Sequence, residues 1–204
     1  MRIYLIHHGE TAMTTQGACP GSMDERLSQE GRQKLMPLFL YGGWIYVSPL
    51  SRARETASIC FPYARQVVVE DLRERNMGDY EGRTPEEMKN EPDYLAWRQS
   101  DYLSRCPNGE GAEQYTSRVC KAFSTLVDMA LRRGDEELFI MAHGTTQAVI
   151  TGNYVYPDKA EGSLMLPCGE AFELSTERWN EEKRLTIQGF AGFTSGPCHL
   201  YSLP

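Results

Sequence analysis

The chain opens Met-Arg-Ile-Tyr-Leu-Ile-His-His-Gly-Glu-Thr, an apolar run over Arg2–Ile6 that stops abruptly at His7-His8-Gly9. The run reads as a short buried strand. Ending it in histidine and glycine puts imidazole nitrogens at the carboxyl edge of a sheet, the edge at which open α/β sheets bind ligands. Gly9 lets the backbone turn tightly and approach a ligand closely. A second apolar run, Leu138 to Ala142, ends the same way in His143-Gly144. The chain has 204 residues and four histidines, so two His-Gly corners at strand ends are not an accident of composition.

Further strand-like runs are Trp44–Ser48, Gln66–Glu70, Ala171–Leu174 and Leu185–Phe190. Helical stretches lie between them. Ser28 is expected to cap a helix running to about Leu40. Ser48-Pro49 offers a cap and an N1 proline for a helix to about Cys60. Thr84-Pro85-Glu86-Glu87 is a capping box opening a short helix to about Asn90. Ala112 to Arg132 carries apolar residues at helical spacing, with Gly134 as its stop, and Thr145–Thr151 is expected to start another helix. Strands alternating with helices argue for a layered α/β fold, read as a single domain over 1–204. Residues 91–111, rich in proline, glycine and charge, read as an insertion over one face of the sheet. The whole stretch of about 76–111 is the expected lid.

The net charge is −7 and the isoelectric point about 5.2. Nucleic acid and anionic membrane surfaces are excluded as general partners, because both call for a basic face. No segment is apolar and long enough to span a bilayer, and no signal peptide is visible, so a cytoplasmic location with reduced thiols is expected. None of the six cysteines forms a CxxC pair, and no Cys/His spacing resembles a zinc site. Oligomeric state is not readable.

Histidine attacks phosphorus when one ring nitrogen is unprotonated and held in line. The displacement also needs charge neutralisation around the phosphoryl oxygens and a proton for the leaving group. His8 is the candidate nucleophile. Arg52, just after the second strand, is the candidate oxygen fork, with His143 as a further donor. Glu74, after the third strand, is the candidate proton source. Cysteine phosphatase chemistry fails on spacing: Cys60 to Arg65 is one residue too short and Cys19 to Arg26 one too long for Cys-x5-Arg. No P-loop or Gly-x-Ser-x-Gly elbow is present.

With these residues in view, the chain resembles the histidine phosphatase superfamily, in the branch of the cofactor-dependent phosphoglycerate mutases and α-ribazole phosphatases. The family's Arg-His-Gly-Glu-Thr stands here as His7-His8-Gly9-Glu10-Thr11. Its Leu-Thr-x-x-Gly stands as Leu27-Ser28-Gln29-Glu30-Gly31, and Ser-Pro-Leu-x-Arg-Ala-x-x-Thr-Ala is matched in full by residues 48–57. Glu74-Arg75-Asn76-Met77-Gly78 matches the acid-donor motif, Pro107-Asn108-Gly109-Glu110-Gly111 a Pro-x-Gly-Glu-Ser loop, and Ala142-His143-Gly144 the second histidine motif.

The resemblance implies a three-layer α/β/α sandwich of phosphoglycerate mutase type with a mostly parallel central sheet. It implies that His8 becomes a transient phosphohistidine and that Glu74 protonates the leaving oxygen. His7, Thr11, Thr14, Arg52 and His143 would surround the phosphoryl oxygens. No metal or organic cofactor is implied, and the expected partner is a small phosphorylated metabolite, α-ribazole phosphate-like or a sugar phosphate. The alternatives are mutase-type phosphoryl transfer and a catalytically weak phosphate-binding module. Two departures matter. His7 replaces the family arginine, exchanging a charged fork for an imidazole, and Thr14 stands where asparagine is common. His7 is expected to make activity rise toward mildly acidic pH. Adjacent to His8 in extended backbone, it is expected to point to the opposite face. Arg75, Arg83, Arg98 and Arg105 are candidates for a second anionic group of the substrate. Tyr80, Tyr94, Trp97 and Tyr102 read as core rather than stacking platforms.

Overall fold

The structure, a computed structural model, describes residues 1–38, 43–100, 103–155 and 164–194. Strands β1 (Arg2–His7), β2 (Trp44–Val47), β3 (Arg65–Val68), β4 (Glu137–Ala142), β5 (Glu170–Ser175) and β6 (Thr186–Gly192) form one sheet in the order β3-β2-β4-β1-β5-β6. β1 pairs with β4, β4 with β2 and β2 with β3, all in parallel. β5 runs antiparallel to β1, and β6 antiparallel to β5. The sheet is therefore mixed, with its parallel part on the side that carries the His-Gly corners.

Side chains alternate across the strands with period two. Ile3 and Leu5 of β1, Leu138 and Ile140 of β4, and Phe172 and Leu174 of β5 join the core on one face. There they meet α6 (Ala112–Arg133) and α7 (Gly144–Tyr154). Tyr4, Ile6, Phe139, Met141 and Ala171 face the other way, onto α3 (Ser51–Cys60). Two apolar faces, each covered by helices, produce the α/β/α layering. Each fully buried Phe, Leu or Ile contributes ~1.5–3 kcal/mol. Gly134, at φ 75°, ends α6 in the left-handed conformation that glycine adopts without cost. Among the described residues no helix is long and apolar enough to cross a membrane.

Several boundaries differ from expectation. The helix capped by Ser28, α2 (Gln29–Lys34), stops at Leu35 instead of running to Leu40. Pro37 follows closely and disfavours helical backbone before it. Leu35 is extended and bridges Thr194; Leu40 itself lies outside the described residues. Ser48 does not cap α3: the helix starts at Ser51 behind Leu50, with no side-chain cap. A one-turn helix, α1 (Ala12–Thr15), was not anticipated; Thr11 and Thr14 form its capping box. The box at Thr84 is present and opens α4 (Pro85–Met88).

The 76–111 stretch is not a bare loop. It holds α4 and α5 (Pro92–Gln99), and Met77, Tyr80, Met88, Tyr94, Trp97 and Cys106 form an apolar cluster of their own. The aromatics at 80, 94 and 97 are thus core, while Tyr102 lies outside the described residues. Gly78 (φ 53°) pins the segment, since a Cβ there would meet the Pro107 carbonyl at 2.0 Å. The last helix, α8 (Trp179–Glu182), buries Trp179 against the α6 side of the sheet.

Candidate active site

The parallel strands all end at one edge of the sheet, and the candidate residues stand there. His7 is the last residue of β1 and His8 follows it. His143 follows β4, the neighbour of β1, and Ser48 follows β2. Glu74 lies beyond β3, after the turn Glu70–Leu72. Arg52 is in the first turn of α3. A cavity of about 150 Å³ opens between them, with His7, His8, Thr14, Arg52, Glu74 and Thr145 on its walls.

Arg52 is buried and donates Nε–H to His8 Nε2 at 3.1 Å. Its other two nitrogens donate to the Met23 and Gly21 carbonyls at 2.7 Å each. Among the described residues it has no ion pair, so its charge faces the cavity uncompensated by contact. A guanidinium cannot accept, so His8 Nε2 carries the lone pair. His8 Nδ1 then carries the proton and donates to the Gly9 carbonyl at 2.7 Å. Burial first, then the charges of His7 and Arg52, hold the His8 pKa well below its ordinary value. The ring is neutral at neutral pH, with a lone pair aimed along the Arg52 contact.

Glu74 is buried behind this pair. Its Oε1 accepts from the Arg75 backbone N–H at 2.7 Å, from Tyr115 Oη at 2.9 Å and from Thr145 Oγ1. Among the described residues no hydrogen bond goes to Oε2. Arg118 of α6 fixes the loop beneath, donating to the carbonyls of Asp71, Arg73 and Glu74 and pairing with Glu110 at 2.8 Å. Sequence reasoning missed Tyr115, Arg118 and Thr145. Thr145 alone left a signal, in its place right after the second His-Gly corner.

His143 is fully buried, its ring centroid 5.1 Å from that of His8, and it does not line the cavity. Its Nε2 bonds Ser48 Oγ at 2.7 Å, the role Ser48 takes in place of capping. Its Nδ1 is a buried polar atom without a partner among the described residues. Burial, then Arg52, depresses its pKa well below the usual value. α7 begins at Gly144, which with Thr145 lies on the cavity wall, so the N-terminus of the helix, with no side-chain cap, borders the cavity.

His7 does not point away from His8. The strand ends at His7, so the alternation no longer governs His8, and the two rings lie edge to face with centroids 4.7 Å apart. His7 Nδ1 donates to the Leu166 carbonyl at 2.8 Å, which leaves the Nε2 lone pair 3.8 Å from Cys168 Sγ. Burial lowers the His7 pKa, and the Leu166 bond opposes this. Burial pushes the Cys168 thiol up to about 11. A Cβ on Gly144 would lie 3.0 Å from the His7 ring, so glycine there admits the imidazole. Ring nitrogens of His7 and His8 and the Cys168 sulfur lie within 4.8 Å of one another, a group able to hold a metal ion. The separation of 7 and 168 along the chain hid it from spacing rules.

Thr14 lines the cavity, but Thr11 does not; its hydroxyl is spent on the α1 cap. The four arginines considered for a second anionic group do not reach the cavity. Arg75 donates to the Glu110 and Ser104 carbonyls, Arg83 pairs with Glu91, Arg105 donates to Gly109, and Arg98 lies over Tyr94.

This sheet edge, with a neutral histidine held against a buried arginine, coincides with a family assignment. Residues 3–183 match the model of the histidine phosphatase superfamily, branch 1, and the chain belongs to that family. It is 30% identical over 190 residues to the Bacillus subtilis protein called uncharacterized phosphatase PhoE, covering 87% of this chain and 90% of that one. It is 30% identical over 170 residues to an acid phosphatase of Mycobacterium tuberculosis, covering 79% of each. The crystal structure of the α-ribazole phosphatase from Shigella flexneri superposes with a TM-score of 0.74 at 22% identity, over 92% of this chain and 94% of that one. Phosphatase or mutase activity is the chemistry of this superfamily.

Proposed function

We propose that the chain is a phosphomonoesterase working through a phosphohistidine at His8. The observation that carries this reading is the tautomer lock: the Gly9 carbonyl accepts from His8 Nδ1–H, and Arg52 Nε–H donates to the Nε2 lone pair. In the first step Nε2 forms a bond to phosphorus, the phosphorus–oxygen ester bond breaks, and Glu74 gives the leaving oxygen its proton. In the second, Glu74 takes a proton from water, whose oxygen displaces His8 and yields inorganic phosphate. Arg52 turns its fork to the phosphoryl oxygens, joined by the N–H groups that open α7. These groups supply the charge neutralisation without calling on a metal ion. His143 backs His8 from behind the cavity wall.

The cavity suits a phosphoryl group better than a whole metabolite, since sites that enclose metabolites run to ~300–1,000 Å³. The remainder of the substrate would project from the mouth. The fold shared with an α-ribazole phosphatase makes α-ribazole phosphate the first metabolite to test. Hydrolysis is preferred to mutase transfer because the span between Glu74 and His143 is compact. The test is single-turnover labelling with a phosphorus-labelled aryl phosphate, together with phosphate release. Wild type should label and turn over, and His8→Asn should do neither. Turnover that survives in His8→Asn overturns the reading. Exchange between 2- and 3-phosphoglycerate primed by bisphosphoglycerate, without phosphate release, would assign a mutase instead.

A further inference from the structure

We propose that His7, His8 and Cys168 form a zinc site overlapping the phosphoryl cavity, and that zinc bound there switches the enzyme off. Three observations carry it. The ligand atoms lie within 4.8 Å of one another, with Cys168 Sγ 3.8 Å from His7 Nε2. A tetrahedral zinc ion with nitrogen and sulfur ligands holds its donors roughly 3.3–3.7 Å apart, so a small closing of side chains suffices. Both histidines donate Nδ1–H to a backbone carbonyl, Leu166 at 2.8 Å and Gly9 at 2.7 Å. That is the arrangement that orients metal-bound imidazoles and leaves Nε2 free to coordinate. Third, His7 stands where the resemblance puts arginine, a side chain with no lone pair to offer.

The ligands come from two neighbouring strands. His7 ends β1 and His8 follows it, and Cys168 lies in the turn leading into β5, antiparallel to β1. That turn is tied down, because the Gly169 N–H donates to the carbonyls of both His7 and His8. As the zinc–sulfur bond forms, the thiol proton leaves for bulk solvent. The thiolate offsets part of the repulsion from Arg52, whose bond to His8 Nε2 must open. Three protein ligands leave a fourth position for water. Zinc on the His8 lone pair removes the nucleophile, so inhibition rests on the function proposed above, whereas metal binding does not.

Cobalt(II) is the probe, added to the full chain after chelator treatment under reducing conditions. One equivalent should bind with tetrahedral d–d absorption and a thiolate-to-cobalt charge-transfer band, and zinc should displace it. Cys168→Ser should abolish the charge-transfer band, and His7→Arg should abolish tight binding. In the aryl phosphate assay zinc should inhibit, competitively with inorganic phosphate, and Cys168→Ser should raise the half-inhibitory zinc concentration at least tenfold. Folded wild-type protein with no charge-transfer band overturns the site. So does zinc inhibition equal in wild type and Cys168→Ser. Cys168→Ala serves if the serine variant does not fold. A cobalt spectrum with no phosphatase activity would keep the metal site and sink the catalytic reading alone.

Discussion

The unusual residue of this site is His7, and its consequences follow from which nitrogen holds the proton. Leu166 fixes the proton on Nδ1, so the face toward the cavity is a lone pair, which repels phosphoryl oxygens. Burial holds the His7 pKa below its usual value of 6.5 in the empty site. A bound dianion pulls the other way, favouring the imidazolium. Wild-type kcat/KM should therefore rise as pH falls below about 6.5. His7→Arg keeps its charge throughout, so its profile should be flat in that window. At pH 7.5 it should exceed wild type by about 10–100-fold, the worth of one charge-assisted hydrogen bond. Parallel pH–rate profiles for the two proteins would refute this.

At the scale of elements, the 76–111 segment is a small packed body joined to the loop that carries Glu74. Glu81 is one hinge of that joint: its Oε1 accepts from Ser22 N–H at 2.6 Å and Met77 N–H at 3.0 Å. It thereby couples the segment to the loop whose Gly21 and Met23 carbonyls hold Arg52. Gly78 is another, where positive φ and the Pro107 carbonyl leave no space for a side chain. Gly78→Ala should cost about 1–3 kcal/mol. The loss should be local: hydrogen exchange should quicken over 76–111 while β1 and β4 amides keep their protection. Uniform quickening across the sheet would show that the segment is not a separate unit. The sequence hid this body because its composition is that of a loop. Tyr94 and Trp97 read as core from the sequence, but only the structure shows that with Tyr80 they build a cluster separate from the two sheet faces.

For the whole molecule, the cost of the site is three buried neutral histidines. His7, His8 and His143 all have pKa values lowered by burial. The unfolded chain, with values near 6.5, binds more protons than the folded one just below that pH. Stability is therefore full above about pH 6.5. It should fall as pH drops from there through the folded values, by up to ~1.4 kcal/mol per pH unit for each histidine. Urea unfolding at pH 7.5 and 5.5, with chelator present, checks this. His8→Asn should flatten the slope, and an unchanged slope would mean these histidines are not held neutral.

The sequence by itself determined the alternation of strands and helices and the two His-Gly corners, and marked His8, Arg52, Glu74 and His143 as candidates for one site. Each is written in local pattern, because strand periodicity, caps and short motifs act over a few neighbouring residues. Only the tertiary structure decided the direction of β5 and β6, the turn of His7 toward His8, and the transfer of Ser48 from cap to partner of His143. It alone brought Cys168 and Tyr115 to the sheet edge. These depend on contacts between stretches remote in sequence, such as Ser48 with His143 or His7 with Cys168, or on the end of a strand, where backbone geometry ceases to dictate which way a side chain points.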